Sequence, residues 1–320
     1  MNPRFEALRA ELALPVIAAP MFLVSNPAHA LAACAGGVVG SFSAHSARTS
    51  DDLRRWLETM RDGLAGLRAS GARPAPYAVN LVVHATNPRM RPDLDLCCEL
   101  EVPIVLTSKG APGELVGRIH AYGGVVLHDV ASRRHAELAL DAGADGLIAV
   151  CGGAGGHCGT LNPFALMGEL RELAPDVPIV LAGAIHSGRD VLAAQVMGAD
   201  LAYIGTRFLA TAEAGASDAY KEMAVMASAA DVLTTDALDG SPTSVLIPSL
   251  RSAGIDPAEL RYRRPGDKIS AQEGVKRWRD LWSAGHSVGR IHDVPAVGEI
   301  VARLVEEYAA ARTGVSRHVR

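Results

Sequence analysis

From residue 15 onward the chain alternates short apolar runs with longer amphipathic segments, and the runs number eight: PVIAAP, GVVGSF, YAVNLVV, PIVLTS, GVVLHD, GLIAVC, PIVLAG and LAYIGT. Runs this short and this apolar suit strands buried on both faces. Between them, apolar residues recur at spacings of three and four near residues 27–35, 50–68, 92–99, 112–121, 131–142, 162–174 and 187–198, which predicts helices. A strict strand–helix alternation leaves two architectures, a closed (β/α)8 barrel or a doubly wound open sheet, because both cover parallel strands with crossover helices. Two features select the barrel. The strand count is eight, and the glycine-rich turns able to hold a phosphate follow strands seven and eight, whereas a dinucleotide-binding sheet places them after strand one.

Composition fits an α/β chain of this kind. Hydrophobic residues make up 49% of 320, with 32 glycines and only 4% aromatics, where an all-β sandwich would call for more aromatic and threonine residues. One domain spanning residues 1–320 is the expectation, since single barrels reach this length with insertions. After strand eight the pattern loosens into a helix near 216–229 and then DVLTTDALDGSPTSVLIPSLRSAGIDP, so residues 230–290 read as an insertion that either caps the site or forms a subunit contact, which would make a homodimer. VPAVGEIVARLVEEYAAAR would supply the eighth barrel helix, and the terminal TGVSRHVR is expected to fray.

The net charge of −4, with both signs interspersed, gives no basic field for nucleic acid. No apolar stretch approaches the roughly 20 residues of a bilayer span, and MNPRFEALRAEL carries charge where a signal peptide needs its apolar core, so a cytoplasmic location is expected. The five cysteines, with Cys97 and Cys98 adjacent, do not form a secreted disulfide pattern and read as reduced thiols. Cys151, His157 and Cys158 lack the paired spacing of a zinc site, so no metal is expected.

Two segments carry chemistry. IVLAGAIHSGRDVLAAQVMGAD reads as strand, glycine turn and a helix opening at Ser187 and Gly188, and LAYIGTRFLAT repeats the arrangement at strand eight. One such glycine is usually only a tight turn. Two at successive strands place Gly183, Ala184, Gly205 and Thr206 where backbone N–H groups, a hydroxyl and helix N-termini can surround a phosphate. Strand six ends in AVCGGAGGHCGT, which sets Gly152, Gly153, Gly155 and Gly156 ahead of His157 on the face where barrel enzymes keep their active sites. So many glycines let backbone approach a flat ligand closely, and an imidazole beside it can take a proton or hydrogen-bond an anion near neutral pH. A solvent-exposed loop histidine is the bland alternative. His29, His45, His120, His135, His286 and His292 have no comparable setting.

Taken together, APMFLVSNP, YAVNLVVHATNPR, GADGLIAVCGGAGGHCGT, LAGAIHSGRD and AYIGTRFLAT resemble the nitronate monooxygenases, formerly called 2-nitropropane dioxygenases, over roughly residues 14–225. The resemblance implies a TIM barrel holding FMN non-covalently across its top. It places Pro20 and Met21 along the flavin ring, Asn80 in hydrogen bond to it, Gly155, Gly156 and Tyr203 beside it, and Ala184 with Gly183, Gly205 and Thr206 on the phosphate. His157 becomes the catalytic residue, contacting the nitro group or taking the α-proton. The implied reaction oxidises an alkyl nitronate with molecular oxygen to a carbonyl compound and nitrite, the flavin doing the redox work.

This chain departs from the family pattern in lacking the Gln and Glu frequent in the strand-six loop, where it has Val150 to Ala154, and in placing Tyr203 where a Gln is frequent. His128, at the end of strand five, suits either a place near the flavin or a buried packing role. Two other readings remain. One is an NAD(P)H-dependent flavin reductase of the quinone reductase or enoyl-acyl carrier protein reductase kind; the other is a colourless isomerase or synthase acting on a sugar phosphate or nucleotide.

Overall fold

Every one of the eight apolar runs forms a strand in the computed structural model, which describes residues 2–261 and 276–318. In chain order the strands are β1 (Val16–Ala18), β2 (Gly40–Ser43), β3 (Tyr77–Val82), β4 (Ile104–Ser108), β5 (Val125–Val130), β6 (Gly146–Val150), β7 (Gly156–His157), β8 (Ile179–Ala182), β9 (Leu201–Ile204), β10 (Val232–Thr235) and β11 (Thr243–Leu246). Eight of them pair in parallel in the order β1-β9-β8-β6-β5-β4-β3-β2, and a parallel bridge between Ile17 and Val39 joins the two ends. The sheet is thus a (β/α)8 barrel whose strands seven and eight are β8 and β9.

Alternation along each strand sorts the side chains into two apolar layers. Ile17, Val39, Ala78, Leu106, Leu127, Ile148, Val180 and Leu201 fill the lumen, while Val16, Val79, Val105, Val126, Leu147, Leu181 and Ala202 pack outward against helices. The strands are continuous apolar runs because both faces are dry. Helices cover the outside at Pro27–Ala35, Ser50–Ala69, Met90–Glu99, Leu115–Ala121, Arg133–Asp141, Pro163–Leu173, Gly188–Val196 and Val297–His318. The last of these runs through the segment expected to fray as far as His318, and residues 319–320 lie outside the described residues. It packs on the Gly188–Val196 helix. Gly188 permits that approach, since a Cβ there would stand 2.1 Å from Leu304 O and 2.2 Å from Tyr308 N.

A helix at Pro3–Ala10, which no sequence pattern announced, closes the amino-terminal end of the barrel with Phe5 inserted into the lumen cluster. No described helix is long and apolar enough to cross a membrane. At the opposite end β10 and β11 form an antiparallel hairpin, and β11 pairs in turn with β7, setting Thr243 opposite His157 and Ser244 opposite Gly156. Of the 230–290 segment, residues 262–275 lie outside the described residues.

Candidate active site

The carboxyl ends of the strands carry the lumen alternation up to a polar layer. Ser43, Asn80, Ser108, Asp129 and Tyr203 follow the inward parity of Ser41, Ala78, Leu106, Leu127 and Leu201, with Val150 and Ala182 between them. Asn80 is 8% exposed. Its amide oxygen accepts from Ser43 Oγ at 3.4 Å, and its Nδ2 donates to Leu106 O and Ser108 Oγ at 3.4 Å each. Asp129 has no such neighbours: its Oδ1 is closed from solvent and meets no hydrogen-bond partner. Burial pushes its carboxyl up to about 7, and burial together with the Asp129 charge raises the Tyr203 phenol far above its ordinary value.

His128 takes the opposite parity. It faces outward, its Nδ1 is 2.7 Å from Thr107 Oγ1, and burial lowers it to about 4. The packing reading therefore holds for His128.

The three glycine-bearing loops converge over this layer. Gly153, with φ +90°, lies so close to the β8 loop that a Cβ on it would come within 3.3 Å of Ala184 Cβ. A Cβ on Gly155 would reach within 3.3 Å of Thr206 Oγ1 and 2.8 Å of Gly285 N. Gly205 sits beside Met21, and a Cβ there would be 3.7 Å from the Met21 sulfur, which places the half-buried Pro20–Met21 segment at the same corner. Some of the close approach that the glycines permit is to backbone: Gly153 O accepts from His286 N at 2.9 Å, and Gly285 N donates to Thr206 Oγ1 at 2.9 Å.

Gly183 and Ala184 have φ of +147° and +55°, and among the described residues the N–H groups of Gly183, Ala184 and Gly205 find no acceptor. Successive unpaired amides of this kind make an anion cradle. The short helix Thr206–Leu209 opens at the same point. The longer helix does not contribute as its sequence suggests. The N–H groups of His186 and Ser187 donate to Asp190 Oδ2, and that of Gly188 donates to Glu307 Oε2 at 2.8 Å. Carboxylates already occupy that N-terminus, so Ser187 and Gly188 are structural.

His157 stands at the rim on β7. Its Nε2 donates to Asp239 Oδ2 at 2.5 Å, and its ring meets Trp278 at 4.8 Å between centroids. An ionised carboxylate only accepts, so the proton lies on Nε2 and Nδ1 keeps its lone pair. Burial lowers the His157 pKa, and the hydrogen bond to Asp239 opposes that. Burial would raise Asp239, yet the bond from His157, the Ser241 N–H and the Lys109 charge outweigh it and hold Asp239 below the ordinary range. Lys109, in left-handed backbone after β4, donates to Ser241 Oγ at 3.0 Å. Beside it a cavity of about 340 Å³ is lined by His45, His84, Thr86, Asn87 and Lys109.

Asp239, Trp278, Lys109, Gly285 and His286 had no signal along the chain. Asp239 is 82 residues from its partner. Asp129 did have one, a carboxylate ending the apolar run GVVLHD.

A parallel (β/α)8 barrel with a corner of unpaired amides and a carboxylate-paired histidine at its carboxyl rim has the make-up of the barrel enzymes, which keep an acid–base group on that face. A profile of the nitronate monooxygenase family matches residues 75–307, and the chain belongs to that family of flavin-dependent oxidoreductases. It is 29% identical over 222 residues to the (3aS,4S,5R,7aS)-5-hydroxy-7a-methyl-1-oxo-octahydro-1H-indene-4-carboxyl-CoA dehydrogenase of Rhodococcus jostii (strain RHA1), a match covering 68% of this chain and 62% of that protein. Among solved structures it resembles FabK from Thermotoga maritima over the whole of both chains, with TM-score 0.82 and 27% identity. It also resembles the nitroalkane oxidase from Streptomyces ansochromogenes over 97% of this chain and 99% of that one, with TM-score 0.79 and 25% identity.

Proposed function

We propose that this protein is an FMN-dependent nitronate monooxygenase, which uses molecular oxygen to convert an alkyl nitronate to a carbonyl compound and nitrite, with His157 as its catalytic residue. The observation that carries the reading is the pairing of His157 with Asp239 at the rim of a barrel whose mouth is polar and whose anion corner is built of unpaired amides.

The residues suit a flavin mononucleotide. Gly183, Ala184 and Gly205 offer backbone N–H groups to the phosphate, and Thr206 Oγ1, already accepting from Gly285, keeps its proton to donate. Pro20 and Met21, with Gly155, Gly156 and Tyr203, would border the ring, and Asn80 presents its amide from the lumen side. When bound, the flavin supplies the electron acceptor for the nitronate. His157 Nδ1 takes the α-proton of a nitroalkane, or, once protonated, donates to a nitronate oxygen, while Asp239 stabilises the imidazolium. The β10–β11 hairpin carries Asp239 to the histidine and leaves the imidazole at the exposed rim, open to substrate.

The test is anaerobic mixing of the purified protein with a primary or secondary alkyl nitronate, watching the flavin bands. Bleaching that oxygen reverses, with nitrite released, is the expected result. Flavin that ignores nitronate and bleaches with NADH, followed by turnover of a quinone or an enoyl thioester, would make the protein a reductase. His157→Ala is expected to keep its flavin and lose most turnover; unchanged turnover removes His157 from the mechanism.

A further inference from the structure

The polar layer at the barrel mouth contains a carboxyl that the mechanism above leaves unused. Asp129 ends the lumen-facing row of β5, in register with Ile148 of β6. The neighbouring strands offer its carboxyl little: β4 brings Ser108, which accepts from Asn80 and makes no bond to Asp129, and β6 brings Ile148 and Val150. From β9 comes Tyr203, whose phenol responds to the Asp129 charge, and His128 on the same strand faces the other way and is held by Thr107. No described cation compensates the carboxylate, and Oδ1 is buried with no partner. A buried, unsatisfied polar atom costs about 1–3 kcal/mol, and this one lies in the polar layer at the barrel mouth, where a bound group can complete it. The layers deeper in the barrel are apolar apart from Ser41, whose hydroxyl is bonded to Ala18 O, so no internal partner accounts for a carboxyl here.

We propose that Asp129 is a second acid–base residue of this site, a carboxylic acid that donates a hydrogen bond from the lumen side to the ring covering the barrel mouth, while His157 serves the substrate from the rim. The proposal rests on the flavin reading of the preceding section. Its physical content is that a neutral Asp129 would hold the ring in place as a hydrogen-bond donor and would favour its reduced, more electron-rich form. A carboxylate at the same spot would oppose that form. The proton stays with Asp129 because nothing nearby stabilises its anion, and burial sets its titration close to 7. Lys109 and Asp239, the charged groups at the rim, are engaged with Ser241 and His157.

The experiment compares the flavin-loaded protein with Asp129→Asn, Asp129→Leu and His157→Ala, following the visible spectrum and the midpoint potential of the bound flavin across neutral pH. In the parent protein both readouts are expected to bend near pH 7. Asp129→Asn, nearly the same shape but unable to titrate, is expected to lose the bend, and His157→Ala to keep it. Asp129→Leu removes the donor and is expected to weaken stabilisation of the reduced ring about tenfold or more, a fall of about 30 mV or more for a two-electron couple. A bend that persists in Asp129→Asn, or a midpoint potential unchanged in Asp129→Leu, overturns the proposal alone. A protein that carries no flavin overturns the cofactor reading and the proposal with it.

Discussion

Replacing Asp239 by Ala removes the partner of His157 without touching the barrel. The bond is 2.5 Å long and joins a carboxylate to an imidazole N–H, and the side chains are 36% and 26% exposed for His157 and Asp239. Hydrogen bonds to charged groups contribute about 1.5–3 kcal/mol when shielded, and partial exposure brings this one to about 1–2 kcal/mol. If that energy is felt in the transition state, kcat/KM falls about 5- to 30-fold. The pH profile gives the sharper readout. Burial lowers the His157 pKa and Asp239 raises it, so losing Asp239 lowers the pKa further. Neutral imidazole then persists to lower pH, and the acid limb of kcat/KM moves in the acid direction. The assay is nitrite release from a primary nitroalkane, whose α-proton the neutral imidazole must take, as a function of pH, with flavin content measured alongside. Asp231→Asn, which alters a carboxylate capping its own surface turn, serves as the control. A profile for Asp239→Ala superimposable on the parent, with flavin intact, would refute the argument that the hairpin sets the histidine's basicity.

Thr206→Val should loosen the phosphate corner by one donor and raise the dissociation constant of the bound flavin about tenfold, read from flavin release on dilution; equal retention would take the hydroxyl out of the site. Gly188→Ala forces a methyl against the backbone of Leu304 and Tyr308 and should cost about 1–3 kcal/mol in denaturant unfolding, whereas Gly168→Ala, in an exposed helix position with open space, should stabilise by about 0.5–1 kcal/mol. Equal stabilities for the two would contradict the close helix approach. Asp129 is raised in the folded protein, so unfolding releases its proton more readily and stability falls as pH rises from 3.8 to about 7, a difference of about 4 kcal/mol. Asp129→Asn should therefore be more stable than the parent on the alkaline side of that window and equal to it below; a pH-independent difference would refute the burial argument.

The alternation of apolar runs and amphipathic segments determined the barrel, because strands buried on both faces and crossover helices admit few other closures. Gly183 in LAGA and Gly205 in AYIGT likewise marked the corner where backbone amides stand unpaired, since such amides in a strand-to-helix turn are a property of a few consecutive residues. Gly188 shows where local reading stops. Its helix start resembles an anion site along the chain, and only the docking of the C-terminal helix, which brings Glu307 to its N–H, makes it structural. His157 was legible as a histidine behind glycines at a strand end, but its chemistry was not. Its partner Asp239, the Trp278 ring and Lys109 come from segments far apart in sequence, brought together by the pairing of β7 with β11. Asp129 was visible as a residue and silent as a group: a carboxylate at the end of an apolar run is ordinary until closure of the barrel leaves one of its oxygens buried with no partner. Local periodicity and turn chemistry are written in neighbouring residues, whereas the proton affinity of a side chain is set by what the whole fold brings against it.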